Sequence, residues 1–354
     1  MARTIEGRVA YADLLRVAAT LAVIVIHCTG GWLEASAIGS ANWNILNVMN
    51  GASRWCVPMF VMLSGMFFLD PKKSVTLPSL FFKSILRIVV ALAVWGTVYA
   101  LWTQRPTNGV YTIQWLWDAL KTVLLGNTHY HLWFLYMMIG LYLVTPILRT
   151  FVKNASRTDF HYFFALAFVF SSLLPTLLAL RPSATVTSYL WRMNLGATIV
   201  YAGFFVAGYY LKTFTLGRMA EILIYLLGIL GTVATIGGTL LLSRHDSAFN
   251  GVIYQYFSPN VVFMSVAVFV LFRYVLGVSE ERSRRQRLGG VAKITFGIYL
   301  VHDFFLILLG HFGLLRPALT PLIAVPLIVC AVFLGSSLVI WPISKIPFVG
   351  KYLT

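Results

Sequence analysis

The chain has 354 residues, of which 59% are hydrophobic and only 11% charged, with a formal net charge of +16 and a mean hydropathy of +0.82. That balance excludes a soluble globular domain, a disordered chain and a fibrous one, and it points to a polytopic membrane protein. The positive charge is no sign of nucleic-acid binding, because the basic residues sit between apolar stretches and form no domain of their own.

Arg3 and Arg8 precede an apolar run that ends near Ala35-Ser36-Ala37, the outline of a signal peptide. The run is too long for one and carries Arg16 and His27, so it reads as a retained first span. From Ala12 to Trp32 it reads ADLLRVAATLAVIVIHCTGGW, long enough to cross a bilayer as a helix. From Arg16 to His27 is eleven steps along the chain. At about 100° per residue that is three turns plus about 20°, so both side chains share a face, about 16 Å apart along the axis. Asp13 and Thr20 fall near the same face. A polar stripe on a membrane helix has to face protein or a water-filled cavity, since lipid cannot satisfy it. Read singly, Arg16 could snorkel with Asp13 as its partner, and His27 could be a hydrogen-bonded core histidine.

Ten stretches are long enough to span: 13–33, 46–69, 82–102, 132–152, 160–180, 195–212, 219–242, 257–277, 291–310 and 320–342. The expected fold is therefore all-α, a single transmembrane helix bundle of about ten spans over residues 1–354. The second span, NGASRWCVPMFVMLSG, holds Arg54 about nine residues in. Pro58 cannot donate to the Arg54 carbonyl, which predicts a kink that frees backbone and Ser53 groups beside the guanidinium. Arg87 lies near one end of the third span, where it could also snorkel. The longest loop, 103–131, is rich in Trp, Thr and Asn and is expected to cap one face. The fourth span opens with HYHLWFL; Trp133 suits an interface anchor, and His131 a hydrogen bond to a sugar hydroxyl. The ninth holds His302 and Asp303. Each charge at bilayer depth costs at least about 2.5–3.5 kcal/mol, so this set calls for a shared polar cavity.

Lysine and arginine are unevenly divided between the two sides. Sixteen fall in loops on the N-terminal side, including the EERSRRQR segment at 280–287, against six opposite: Arg105, Lys121, Arg181, Arg192, Arg244 and Arg316. With ten spans this puts both termini in the cytoplasm. Cys28, Cys56 and Cys330 each sit in an apolar run, lack metal or disulfide spacing, and read as buried filler. No metal is expected. With 11 acidic residues, none paired inside a span, dual-carboxylate glycoside chemistry is disfavoured. HExxH, P-loop and GxSxG patterns are absent. A histidine base, arginines for an anionic ligand and a membrane cavity remain. A transporter or exporter of a glycan or organic anion could use the same groups without covalent chemistry.

The segments YADLLRVAATLAVIVIH, NGASRWCVPMFVMLSG, HLWFLYMMIGLYLVTPIL and TFGIYLVH resemble acyltransferase family 3, the integral-membrane O-acyltransferases. They look closest to short, single-domain members of the enterobacterial common antigen O-acetyltransferase type. The family's pattern of Arg, ten residues, then His falls on Arg16 and His27. Val17 departs from it, since a Gly often follows that Arg. Longer members carry a fused extracytoplasmic hydrolase-like domain, which this sequence lacks after its last span, so transfer is expected from this chain alone or with a separate partner. The resemblance implies ten core spans and acetyl-CoA as a cytoplasmic acyl donor. It also implies a glycan or lipid-linked saccharide acceptor, residence in the bacterial inner membrane among lipid, and no nucleic acid. Homo-oligomers and glycan-assembly partners stay open. On this reading His27 is the base, Arg54 an oxyanion donor, and Arg16 and Arg87 contacts for the acetyl-CoA phosphates or pantetheine. Asp13, Ser53, His131, Trp133 and His302 complete the set as candidate substrate-binding groups.

Overall fold

The computed structural model describes residues 9–193, 201–277, 288–316 and 318–354, and among them there are helices and turns but no strand. In chain order the helices are α1 (Ala10–Ala35), α2 (Ala41–Gly51), α3 (Cys56–Phe68), α4 (Leu77–Thr103), α5 (Ile113–Leu124), α6 (Tyr130–Asn154) and α7 (Arg157–Leu180). They continue with α8 (Ala184–Met193), α9 (Ala202–Thr213), α10 (Arg218–Asp246), α11 (Val252–Tyr274), α12 (Gly289–His311), α13 (Pro321–Ile343) and α14 (Val349–Leu353). Eight of these, α1, α4, α6, α7, α10, α11, α12 and α13, are long and apolar enough to cross a membrane.

Two of the ten expected spans are not among these eight. Within 195–212 the described helix begins only at Ala202. The stretch 46–69 is split into α2 and α3. The irregularity expected beside Arg54 is present, but as a break rather than a kink. The backbone N–H groups of Ser53, Arg54 and Cys56 each donate three residues back, to Asn50, Gly51 and Ser53, at 3.1, 3.3 and 3.2 Å. Pro58 lies in the first turn of α3, where a missing N–H leaves no ladder bond unmade. Arg3, Arg8 and the 280–287 segment lie outside the described residues.

Helix α1 is central. It packs against α2, α3, α11, α12 and α13, so the stripe inferred for it faces protein. Asp13 and Thr20 are buried, and the Thr20 hydroxyl donates back to the Arg16 carbonyl at 2.9 Å. Cys28 and Cys56 are buried as expected, but Cys330 points outward from α13. The loop 103–131, expected to cap one face, contains the helix α5. Thr112 caps α5 by accepting from the Trp115 N–H at 3.2 Å. Its Ala119 is buried against α4 while Trp117 and Leu124 are exposed, the pattern of a helix lying at an interface.

The turn after α3 is tied down by polar groups. The Arg149 guanidinium donates to the carbonyls of Phe68, Asp70 and Lys73 at 2.5, 3.0 and 2.6 Å, and the Lys212 ammonium donates to Asp70 Oδ2 at 2.7 Å. Burial opposes ionisation of Asp70, yet Lys212 and the Lys72 N–H hold its carboxyl below the usual carboxylate value.

α3 and α9 touch backbone to backbone. A Cβ at Gly65 would stand 1.8 Å from the Phe205 carbonyl oxygen, and one at Gly208 1.8 Å from that of Met62. Small residues allow this close approach in a membrane, where contact rather than water exclusion drives helix association. Gly208→Ala is expected to cost at least the ~3 kcal/mol upper range of overpacking, because a backbone carbonyl has no rotamer to yield. Gly140→Ala, with nothing within 4 Å of its Cβ, is the control. Equal unfolding midpoints for the two variants in detergent would overturn this account of the crossing.

Candidate active site

The upper end of the α1 stripe meets residues from the mouths of α6 and α12. His27 is half-buried, whereas His131 and His302 are buried. Its Nδ1 lies 3.0 Å from the Tyr130 hydroxyl, and that hydroxyl donates to Asp303 Oδ1 at 2.8 Å. The other oxygen, Asp303 Oδ2, is 3.4 Å from His129 Nε2, and His129 Nδ1 is 2.9 Å from His131 Nδ1. The ring centre of His302 stands 5.2 Å from that of His27 and 5.3 Å from that of His131.

Local structure explains this convergence. Tyr130–Leu132 form the 3₁₀ first turn of α6, so His129, Tyr130 and His131 fan out from adjacent positions. His302 and Asp303 are neighbours on α12, about 100° apart around the axis, and serve different partners. The scaffold is aromatic. Tyr99 stacks on His129 at 4.5 Å; its hydroxyl donates to the Leu300 carbonyl at 3.0 Å and accepts from the Phe304 N–H at 3.1 Å. The Tyr299 hydroxyl donates to the His131 carbonyl.

Arg54 approaches from the α2–α3 break. It donates to Asn50 Oδ1 at 2.5 Å, and the Asn50 amide donates to Thr29 Oγ1 at 2.8 Å and to the Ile26 carbonyl at 3.2 Å. The guanidinium is thus tied to α1 beside His27 and acts on it electrostatically. It also lies over the Tyr254 ring at 4.2 Å. Ser53 points elsewhere, since its hydroxyl donates back to the Met49 carbonyl at 2.8 Å. Trp133 is 38% exposed at the mouth, with the Tyr201 and Tyr256 rings 6.0 and 6.1 Å away. His131 does not stand at that exposed mouth; it is 1% exposed.

The opposite end of the stripe holds the other arginines. Arg16 Nη1 is 3.9 Å from Asp13 Oδ1, and its side chain keeps 32% of its exposure. Arg87 donates to the Thr354 backbone oxygen and lies over the Phe296 ring at 5.0 Å. Both arginines act on Tyr142, which places them in one neighbourhood.

Of the nine residues singled out from sequence, His27, His131, His302 and Arg54 come together, and Arg16, Asp13 and Arg87 form a second group. The sequence reading gave no role to Tyr130, Asp303, His129 or Asn50. A lone carboxylate in the ninth span was the available signal, because such a group needs a partner. Donor atoms of His129, His131 and Asp303 lie within 4.8 Å of one another, a spacing that would also admit a cation. A groove of about 530 Å³ runs along α7, α9, α10 and α11, lined by Phe164, Phe168, Phe204 and Val266, and holds none of these groups. Its apolar lining suits a lipid tail better than a charged donor.

A family model described as an acyltransferase domain, that of acyltransferase family 3, matches residues 9–341. No curated protein and no solved structure matches the chain.

Proposed function

The chain belongs to this acyltransferase family, and from that premise we propose that it is a membrane O-acetyltransferase moving acetyl from acetyl-CoA to a glycan hydroxyl. The observation that carries the reading is the half-buried His27, beside the buried His131 and His302, on the same helix face as the partly open Arg16. His27 takes the proton of the acceptor hydroxyl as its oxygen attacks the thioester carbonyl. Arg54, tethered to α1 through Asn50, is the donor that would steady the tetrahedral oxyanion. The C–S bond then breaks, and the thiolate of CoA recovers the proton from the imidazolium.

The fit of the donor is uneven. Arg16 has exposure to spare for a phosphate or the pantetheine arm. Arg87 reaches one only by giving up Thr354. The remaining assignments extend the same reading. Both termini are cytoplasmic, CoA enters from that side, and the membrane is the bacterial inner membrane. The acceptor is a lipid-linked or surface saccharide, as in the enterobacterial common antigen type. His302 and Trp133 flank its path.

Purified protein given labelled acetyl-CoA and candidate saccharides should yield an acetylated glycan by mass spectrometry; binding of the saccharide with no acetyl transfer under any acceptor would favour an exporter. Arg16→Ala should weaken acetyl-CoA binding about ten-fold or more, since charge-assisted bonds contribute about 1.5–3 kcal/mol, while leaving acceptor binding intact. Unchanged acetyl-CoA affinity would make Arg16 structural.

A further inference from the structure

The hydrogen bonds around His27 have a direction, and a single group sets it. A carboxylate can only accept, so it orders every chain of bonds that ends on it. Tyr130 gives its one O–H to Asp303 Oδ1 at 2.8 Å. Its oxygen is left as an acceptor, and the 3.0 Å contact with His27 Nδ1 then requires that nitrogen to carry the proton. On the other side, Asp303 Oδ2 stands 3.4 Å from His129 Nε2, and the 2.9 Å contact between His129 Nδ1 and His131 Nδ1 needs the proton on one of those two nitrogens and a lone pair on the other. His302 is settled separately, because its Nδ1 lies 2.6 Å from the Tyr299 carbonyl, which can only accept. His27 and His302 therefore carry the proton on Nδ1 and the lone pair on Nε2. The Nε2 atoms of His131 and His302 are buried without a partner, whereas His27 keeps partial exposure.

We propose that Asp303 is the positioning residue of this site: acting through Tyr130, it holds His27 in the Nδ1-protonated form, so that the Nε2 lone pair and not an N–H meets the acceptor hydroxyl. The proposal rests on His27 being the base. When Nε2 takes the acceptor proton, the charge on the ring is balanced through Tyr130 by the Asp303 carboxylate, and the proton leaves again with the CoA thiolate. The arrangement has the logic of a nucleophile–histidine–aspartate set with a phenol inserted between histidine and carboxylate. A cation at His129, His131 and Asp303 would have to break the bond between the two histidines, because a bonded pair of neutral rings cannot offer a lone pair from both Nε2 atoms.

Asp303→Asn tests this. The amide can donate to Tyr130, which frees the phenol to donate to His27 Nδ1 and drives the proton to Nε2. Nitrogen-labelled histidine resonances of the purified protein should show His27 changing from the Nδ1-protonated to the Nε2-protonated form. The kcat should fall about 10²–10⁴-fold with the KM for acetyl-CoA unchanged, as wrong-tautomer substitutions do elsewhere. Asp303→Glu should restore the Nδ1 form and part of the rate. A folded Asp303→Asn protein in which His27 keeps its tautomer overturns the proposal. So does one equivalent of tightly bound transition metal in the unmodified protein that is lost in the variant, since the cluster would then be a cation site. The tautomer is read without acceptor or turnover. Failure here is thus separable from failure of the acetyl-transfer reading, which would show as an unmodified protein that transfers nothing.

Discussion

A His27→Gln protein is expected to fold, to bind acetyl-CoA and to transfer acetyl about 10²–10⁴ times more slowly, the usual contribution of a general base. Glutamine keeps a hydrogen-bonding group of similar reach, so the contact with Tyr130 can persist and the loss reports basicity rather than packing. His27 is half-buried whereas His131 and His302 are buried, so of these three rings it is the one a substrate would meet. Donor binding should survive because Arg16 lies about 16 Å away along α1. The measurement is single-turnover transfer from labelled acetyl-CoA beside an equilibrium binding curve. Near-normal transfer would make His27 structural and move the search for the base to His302 or His131.

The second large effect is expected at Arg54. Arg54→Gln should lower kcat about 10²–10³-fold, the cost of removing one oxyanion donor, and leave the KM for acetyl-CoA unchanged. The reason lies in its tether. Asn50 holds the guanidinium and, by its own amide, the Ile26 carbonyl and Thr29 hydroxyl on either side of His27, so base and cation are set by one side chain. Arg54→Lys keeps the charge but loses the planar fork, and should recover only part of the rate. A purely structural Arg54 predicts another pattern, a lower unfolding midpoint with kcat intact in the fraction that stays folded. Thermal unfolding measured beside initial rates separates the two.

Much of this molecule is legible in short windows of sequence. Hydropathy over about 20 residues identifies the class and the long helices. Helical periodicity places Arg16, Thr20 and His27 on one face of α1, and that face does lie against other helices. The irregularity around Arg54 is likewise local, because a proline and a run of turn-compatible residues act on their own neighbours. The family's Arg–His spacing is local too. What such windows misjudge are boundaries: α5 was hidden in a loop by its mixed polarity, and the second span divides into two helices because Pro58 suits a first turn better than a helix interior.

The site itself was decided only by packing. His27 and Tyr130 are 103 residues apart, and Tyr130 and Asp303 are 173 apart, so no periodicity within one helix relates them. Contacts between distant helices are set by which surfaces close most tightly. Here that includes a crossing of α3 and α9 that two glycines permit. The same closure takes Arg87 to Thr354, where sequence alone offered a free cation. Sequence thus determined the class, eight of the long helices and the chemical character of the stripe, because hydropathy and helical period act between near neighbours. The tertiary structure decided which carboxylate orients which histidine, because a hydrogen-bond chain that crosses three helices exists only once they have met.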